Sequence, residues 1–385
     1  MKFYFDIGFL VSLEKYGELE EWILDDFKYF IEKSLKDEEC FIIGKEILSH
    51  NYFFESKFFR LLNKNTKSLK FLNKNQFEIE LTDENNTCFK YIFLNEEDSV
   101  KNIRENFGYY AYSSDELNSI WIKFHSRRSN EDLKRFINSN NSQYHLSTWE
   151  DLREFSLPIN TFVIADQYLF EYLDSFRFNF SGILKNLGIK PLNKRQIDLV
   201  IITSDKIFNS EKNKNDASKI ISFIKLNLTK PIDEGLKFSA DVINDYLFEI
   251  AFQEAKNEIQ KLLGESKFNL TLIKLDEKST PKSNKAHFRF CLTNTSFINC
   301  GHSFTLFGKY GKVRKEDYIF LNSFLWSGNR HVANIGALKV TREALIKIDN
   351  ITKVWDEVRN LFFNPKRVLV HNQKVNAQCL EVYSN

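Results

Sequence analysis

The chain has 385 residues, 43% of them hydrophobic, which is enough for two domains with sizeable cores and excludes bulk disorder. Its 54 basic and 52 acidic residues give a net charge of +2, without the strong basic excess of many nucleic-acid binders. A local basic patch can still sit inside so balanced a total.

The apolar opening, Met1 to Gly17, carries Asp6 inside the run and no small-residue cleavage site, so it is expected to be a strand and not a signal peptide. Tyr16 to Lys36 has helical spacing, with Leu19, Trp22, Ile23, Phe27, Phe30 and Ile31 on one face. The Lys- and Asn-rich stretch from Leu62 to Lys70 reads as a solvated loop. Phe77 to Phe93 suggests two strands around a polar turn at Asp83 to Asn86. Ser129 to Asn138 suggests a helix, and the polar run Asn138 to Gln143 marks a boundary.

Beyond that boundary strands and helices alternate. Phe162 to Phe170 and Ile197 to Ile202 read as buried strands, and Phe180 to Leu187 as a short helix ended by Gly188. Ala217 to Leu228 has helical spacing. Ser239 to Leu263 is the strongest helix, with Gly264 as its stop. Leu270 to Leu275 and His287 to Thr293 follow as strands, and a last helix spans about Thr341 to Phe362. The expected organisation is an α+β recognition or regulatory domain over 1–150 and an α/β domain over 151–385, the latter with a mixed, mainly parallel sheet flanked by helices.

Five cysteines, odd in number and without a C-x-x-C pair, point to reduced thiols in a reducing compartment, here the cytoplasm, and to no zinc framework. No run of 18 apolar residues occurs, so no transmembrane segment is expected. Walker, G-x-G-x-x-G, H-E-x-x-H, G-x-S-x-G and calcium-loop patterns are missing, so no cofactor is indicated.

The segment that carries chemistry is Ala286 to Asn294, continuing through Cys300, Gly301, His302 and Ser303. On an extended strand, residues i and i+2 share a face, so His287 and Arg289 project together. An imidazole can attack phosphorus, and an adjacent guanidinium can grip phosphoryl oxygens bidentately. A plain alternative is a hydrogen-bonded core histidine, with Arg289 paired to Asp166 and Asp166 capping the following turn.

This segment resembles the phospholipase D superfamily motif, H-x-K-x-x-x-x-D followed by a glycine. His287 falls on the histidine, Arg289 on the lysine, Asn294 on the aspartate and Gly301 on the glycine. It is also similar to the C-terminal domain of MIT-domain-containing proteins and its bacterial relatives. Those are phospholipase-D-like folds with a single motif strand, and their eukaryotic members bind membranes without known catalysis. The resemblance covers roughly residues 155–363 and makes Val163 to Tyr168 the first core strand. It implies catalytic roles for His287, Arg289 and Asn294, and ligand contacts from Asp166, Tyr168, Gly301, His302 and Ser303. The implied activity is metal-independent phosphodiester hydrolysis, as by a nuclease of a bacterial defence-type system, acting on nucleic acid and needing a homodimer or protein partner to supply a second histidine. The alternative is a non-catalytic phosphate, nucleic-acid or protein-binding module.

Three other segments are weaker. His125 to Asp132 fits the same motif formally but has no following glycine segment, and reads as a basic turn. Trp326 to His331 could form a lid over a phosphate or a plain surface turn. Phe3 to Leu10 resembles the first strand of PIN-type nucleases, whose acidic residue (here Asp6) binds metal, but further carboxylates at a recognisable spacing do not follow.

Overall fold

The computed structural model describes residues 2–15, 21–35, 38–44, 56–83, 90–117, 134–136, 147–166, 168–170, 173–204, 240–275, 289–300, 303–307, 318–323, 368–372 and 380–381. The helix expected at Ala217 to Leu228, the last helix at Thr341 to Phe362, the formal motif at His125 and the Trp326 to His331 loop lie outside them.

The first half is an α/β layer. Its elements run β1 (Lys2–Asp6), α1 (Ile7–Lys15), α2 (Glu21–Ser34), β2 (Glu39–Ile43), α3 (Lys57–Asn65), β3 (Ser68–Leu72), α4 (Lys74–Thr82), β4 (Lys90–Leu94), α5 (Glu97–Phe107) and β5 (Tyr110–Ser113). The five strands form one sheet in the order β3-β2-β1-β4-β5, and every pairing is parallel. This corrects the α+β expectation. Helices connect the strands, and a helical crossover is what allows successive strands to run parallel.

Three local expectations change with it. The opening strand stops at Asp6, where the carboxylate accepts from the Gly8 backbone N–H at 2.8 Å and caps a helix that buries Ile7, Leu10 and Leu13. Lys74–Thr82 is a helix and not a strand, because Asn73 and Gln76 close a capping box and Phe77 and Leu81 bury one face at i, i+4 spacing. The basic stretch at Leu62 is the end of α3 and most of β3, where Lys70 pairs with Glu39 at 3.0 Å.

Much of the aromatic content is explained by this sheet. Phe3 stacks on its register partner Tyr91 at 5.1 Å, and Phe5 on Phe93 at 4.9 Å. Cross-strand aromatic pairs of this kind fill the pleated surface under the helices.

The second half adds a 3-10 helix at Trp149–Phe155, then β7 (Thr161–Asp166), α6 (Leu173–Leu187), β8 (Ile197–Ser204), α7 (Ala240–Leu263), β9 (Phe268–Leu275), β10 (Arg289–Thr293), β11 (Ser296–Cys300), β12 (Tyr318–Ser323), β13 (Val368–Asn372) and β14 (Leu380–Glu381). With β6 (Lys134–Phe136) they form a nine-stranded sheet in the order β14-β13-β9-β8-β7-β10-β11-β12-β6. The sheet is mixed, as expected, but only β7, β8 and β9 pair in parallel; the six other pairings are antiparallel. Two residues separate β10 from β11, and a connection that short permits only a hairpin.

Strand β6 occupies part of the expected helix at Ser129 to Asn138. Its pairing with β12 outweighs local helix preference. It precedes the polar run at 138–143, so a segment from the first 150 residues completes the second sheet. The second-half helices match the sequence more closely: α6 and α7 end at Gly188 and Gly264, both at positive φ.

One continuous apolar cluster runs through both halves, from Phe3, Phe5 and Phe93 to Ile159, Phe162 and Leu292. The seam is close-fitting. Gly108 has φ +62°, and a Cβ there would lie 2.9 Å from the Ile159 carbonyl oxygen. Asn160 donates to the Phe107 carbonyl at 3.1 Å, and the backbone N–H groups of Asn193 and Lys194 donate to the carbonyls of Glu105 and Asn106.

Candidate functional site

β7 is a run of buried residues that ends in a carboxylate at the carboxyl end of the central parallel strands, where ligands of α/β sheets gather. That carboxylate, Asp166, is 0% exposed. Its register partner across the antiparallel pair is Arg289, the first residue of β10. Directly opposed residues project from the same face, so the topology brings these two expected site residues together.

Asp166 is fully engaged. One oxygen accepts from the Ser303 hydroxyl and the Phe304 backbone N–H, both at 2.6 Å; the other accepts from the Tyr168 N–H at 2.8 Å. The Ser303 hydroxyl also accepts from the Thr305 N–H and shares a 2.9 Å contact with the Thr305 hydroxyl. Arg289 is half-buried, with its guanidinium 5.9 Å from the centre of the Tyr168 ring. Desolvation pushes the Asp166 carboxyl up to about 6, against the opposing pull of Ser303, the Tyr168 and Phe304 amides and the Arg289 charge.

Asp166, Tyr168, Arg289 and Ser303 therefore form one cluster. Asp166 also caps the turn after β7, the plainer role open to it from sequence. His287, Gly301 and His302 lie outside the described residues.

Asn294 is placed elsewhere. It sits just past the far end of β10, five residues from Arg289, or about 16 Å along an extended strand. Its amide accepts from the Asn160 N–H at 3.0 Å and donates to the Gly108 carbonyl at 3.0 Å. Its backbone carbonyl accepts from the Tyr91 hydroxyl at 3.1 Å. Asn294 is 1% exposed and fastens the two halves, apart from the Asp166–Arg289 cluster with which the motif would group it.

No protein-family model, curated protein or solved structure matches the chain.

Sequence spacing alone does not single out Thr203 or Thr305 as site residues. Thr305 is signalled only by its i+2 spacing from Ser303. The Thr203 hydroxyl, at the carboxyl end of β8, is buried without a hydrogen-bond partner, and its strand runs beside β7. The polar ending of a buried strand is the signal that could have drawn attention to it.

At the carboxyl end of β1 in the other sheet, Asp6 accepts from the Gly8 and Asn95 N–H groups, and the Asn95 side-chain oxygen accepts from Ser12 at 2.7 Å. Burial raises the Asp6 carboxyl above its usual range. Among the described residues no three His, Cys, Asp or Glu side chains gather as a metal site. Nor is any helix there long and apolar enough to cross a membrane. Cys40, Cys291 and Cys300 are buried, and the Cys300 thiol donates to the Ser303 carbonyl at 3.1 Å.

Proposed function

We propose that the second half is a phospholipase-D-like module that binds a phosphate-containing group, nucleic acid being the favoured ligand, at the Arg289 end of β10. The observation that carries this reading is the register pairing of Arg289 with Asp166 at the carboxyl end of the parallel strands. Asp166 holds Ser303 and Phe304 in place, and Arg289, its register partner, is partly exposed as a residue although its Nε is buried. A planar guanidinium suits phosphate oxygens. Residues 1–150 act in this reading as the recognition or regulatory part.

The binding reading is preferred to the hydrolytic one because Asn294, the counterpart of the motif's aspartate, is occupied in the seam. Fluorescence anisotropy with single-stranded DNA and RNA tests it. Arg289→Ala should weaken binding at least about tenfold, the scale of one lost charge-assisted contact. Equal affinity in that variant would remove the proposal. Hydrolysis of the same oligonucleotides in EDTA that vanishes in His287→Ala would instead favour the phosphodiesterase, acting in a dimer.

A further inference from the structure

Lys90, the first residue of β4, is 1% exposed, and among the described residues its amine donates to the backbone carbonyl of Glu80 and to no carboxylate. It lies 4.9 Å from the centre of the Tyr109 ring, itself 0% exposed. The same ring carries a second cation. Arg195, from the segment between α6 and β8, places its guanidinium 5.3 Å from the ring centre and donates to the Tyr109 hydroxyl at 2.6 Å. That segment is the one whose Asn193 and Lys194 N–H groups bond to the carbonyls of Glu105 and Asn106 across the seam. Docking it therefore brings a fixed positive charge up to a buried lysine.

The other charged groups facing Lys90 are Glu80 and Asp83 from α4 and its end, and Lys2 from β1. The Glu80 carboxylate is already engaged by Lys2 at 3.2 Å and by the Tyr4 hydroxyl at 2.9 Å. Burying a charge beside a like charge is costly, and a lysine escapes that cost by losing its proton.

We propose that Lys90 is a proton-linked latch: the 193–195 segment docks on the first sheet with the Lys90 amine neutral, and protonation of that amine loosens the seam. Burial first, and then Arg195, lower the Lys90 amine to about 7 from its usual 10.5. The undocked state binds more protons above that value. Docking therefore strengthens as pH rises above about 7, and levels off below it, where both states carry the proton.

Amide hydrogen exchange at Asn193 and Lys194 in the full chain, corrected for intrinsic rates, reads the latch directly. Their protection should rise from pH 7 to 9 by up to about tenfold per pH unit, the limit for one proton. In Lys90→Met, which keeps the apolar stem, it should change less than about twofold over that range. Should that variant fail to fold, Arg195→Gln supplies the test, because removing the neighbouring charge should move the midpoint to higher pH. An unaltered slope in Lys90→Met, or an unmoved midpoint in Arg195→Gln, overturns the proposal.

Discussion

Asp166 and Arg289 are directly opposed across β7 and β10, yet the hydrogen bonds fixing the carboxylate come from Ser303, Phe304 and Tyr168. The carboxylate thus pins a downstream segment, while Arg289 is partly exposed as a residue. An anchor and a possible ligand contact sit side by side, with different consequences for substitution.

The anchor should show itself in the pH dependence of stability. The folded-state value of Asp166, about 6, lies above its usual 3.8, so the folded protein binds more protons between those values. This group's contribution is therefore fully present below about pH 4 and is lost as pH rises through 6, by an amount on the order of 3 kcal/mol. Asp166→Asn should remove that slope. It should also weaken the hold on the downstream segment, since one amide oxygen cannot accept all three bonds. Urea unfolding from pH 4 to 8 checks this, and an identical slope in the variant would contradict it.

The guanidinium should behave otherwise. Arg289→Lys keeps the charge but loses the bidentate fork, so it should keep part of any oligonucleotide affinity that Arg289→Ala abolishes. Arg289→Ala should bind with a shallower dependence on salt than the parent if Arg289 contacts phosphate, by about one unit of the log–log slope, while Arg289→Lys keeps the parent's slope. Parallel salt titrations would reveal a merely structural arginine as three lines of equal slope.

What the sequence made legible follows from how local each signal is. The buried strand at Ile197 and the helix before Gly264 depend on hydrophobic spacing and a stop residue and appear close to where expected, whereas the strand expected over Phe162 to Phe170 ends at Asp166. The helix at Lys74–Thr82 was misjudged because alternating Phe77, Ile79 and Leu81 resembles a strand, whereas a capping box and burial of only Phe77 and Leu81 settle it; Ile79 is 67% exposed. β6 and the antiparallel half of the second sheet depend on non-local pairing that no window reveals. At the site, i, i+2 spacing within one strand cannot say which strand lies opposite. The Asp166–Arg289 pairing was open only as one alternative, and the use of Asn294 in the seam was hidden.

The seam itself can be probed with two glycines. Gly108 and Gly264 have nearly equal φ values, +62° and +61°, so an alanine at either meets similar backbone strain of about 1–2 kcal/mol. At Gly264 the new methyl has nothing within 4 Å, whereas at Gly108 it meets the Ile159 carbonyl oxygen at 2.9 Å and Asn160 at 3.1 Å. Gly108→Ala should therefore cost clearly more than Gly264→Ala, by an additional 1–3 kcal/mol or so for overpacking. Equal midpoints in thermal unfolding would mean that the seam yields freely.

Asn294 gives the sharpest separation between a degenerate catalytic residue and a structural one. If it stands in for the motif's aspartate, Asn294→Asp should restore function. The geometry forecasts the reverse. The amide nitrogen donates to the Gly108 carbonyl, with the Pro158 carbonyl at 3.5 Å, and a carboxylate there would face two acceptors inside a buried seam. Asn294→Ala should cost about 1–3 kcal/mol by leaving the Asn160 N–H without its acceptor, and Asn294→Asp at least as much, because it adds an uncompensated buried charge. The Asp variant should regain stability as pH falls and its carboxyl takes up a proton that can donate in place of the lost amide. Denaturation midpoints of both variants at pH 5 and pH 8 decide the matter: an Asp variant as stable as the parent at pH 8, with new oligonucleotide cleavage, would return Asn294 to the active site.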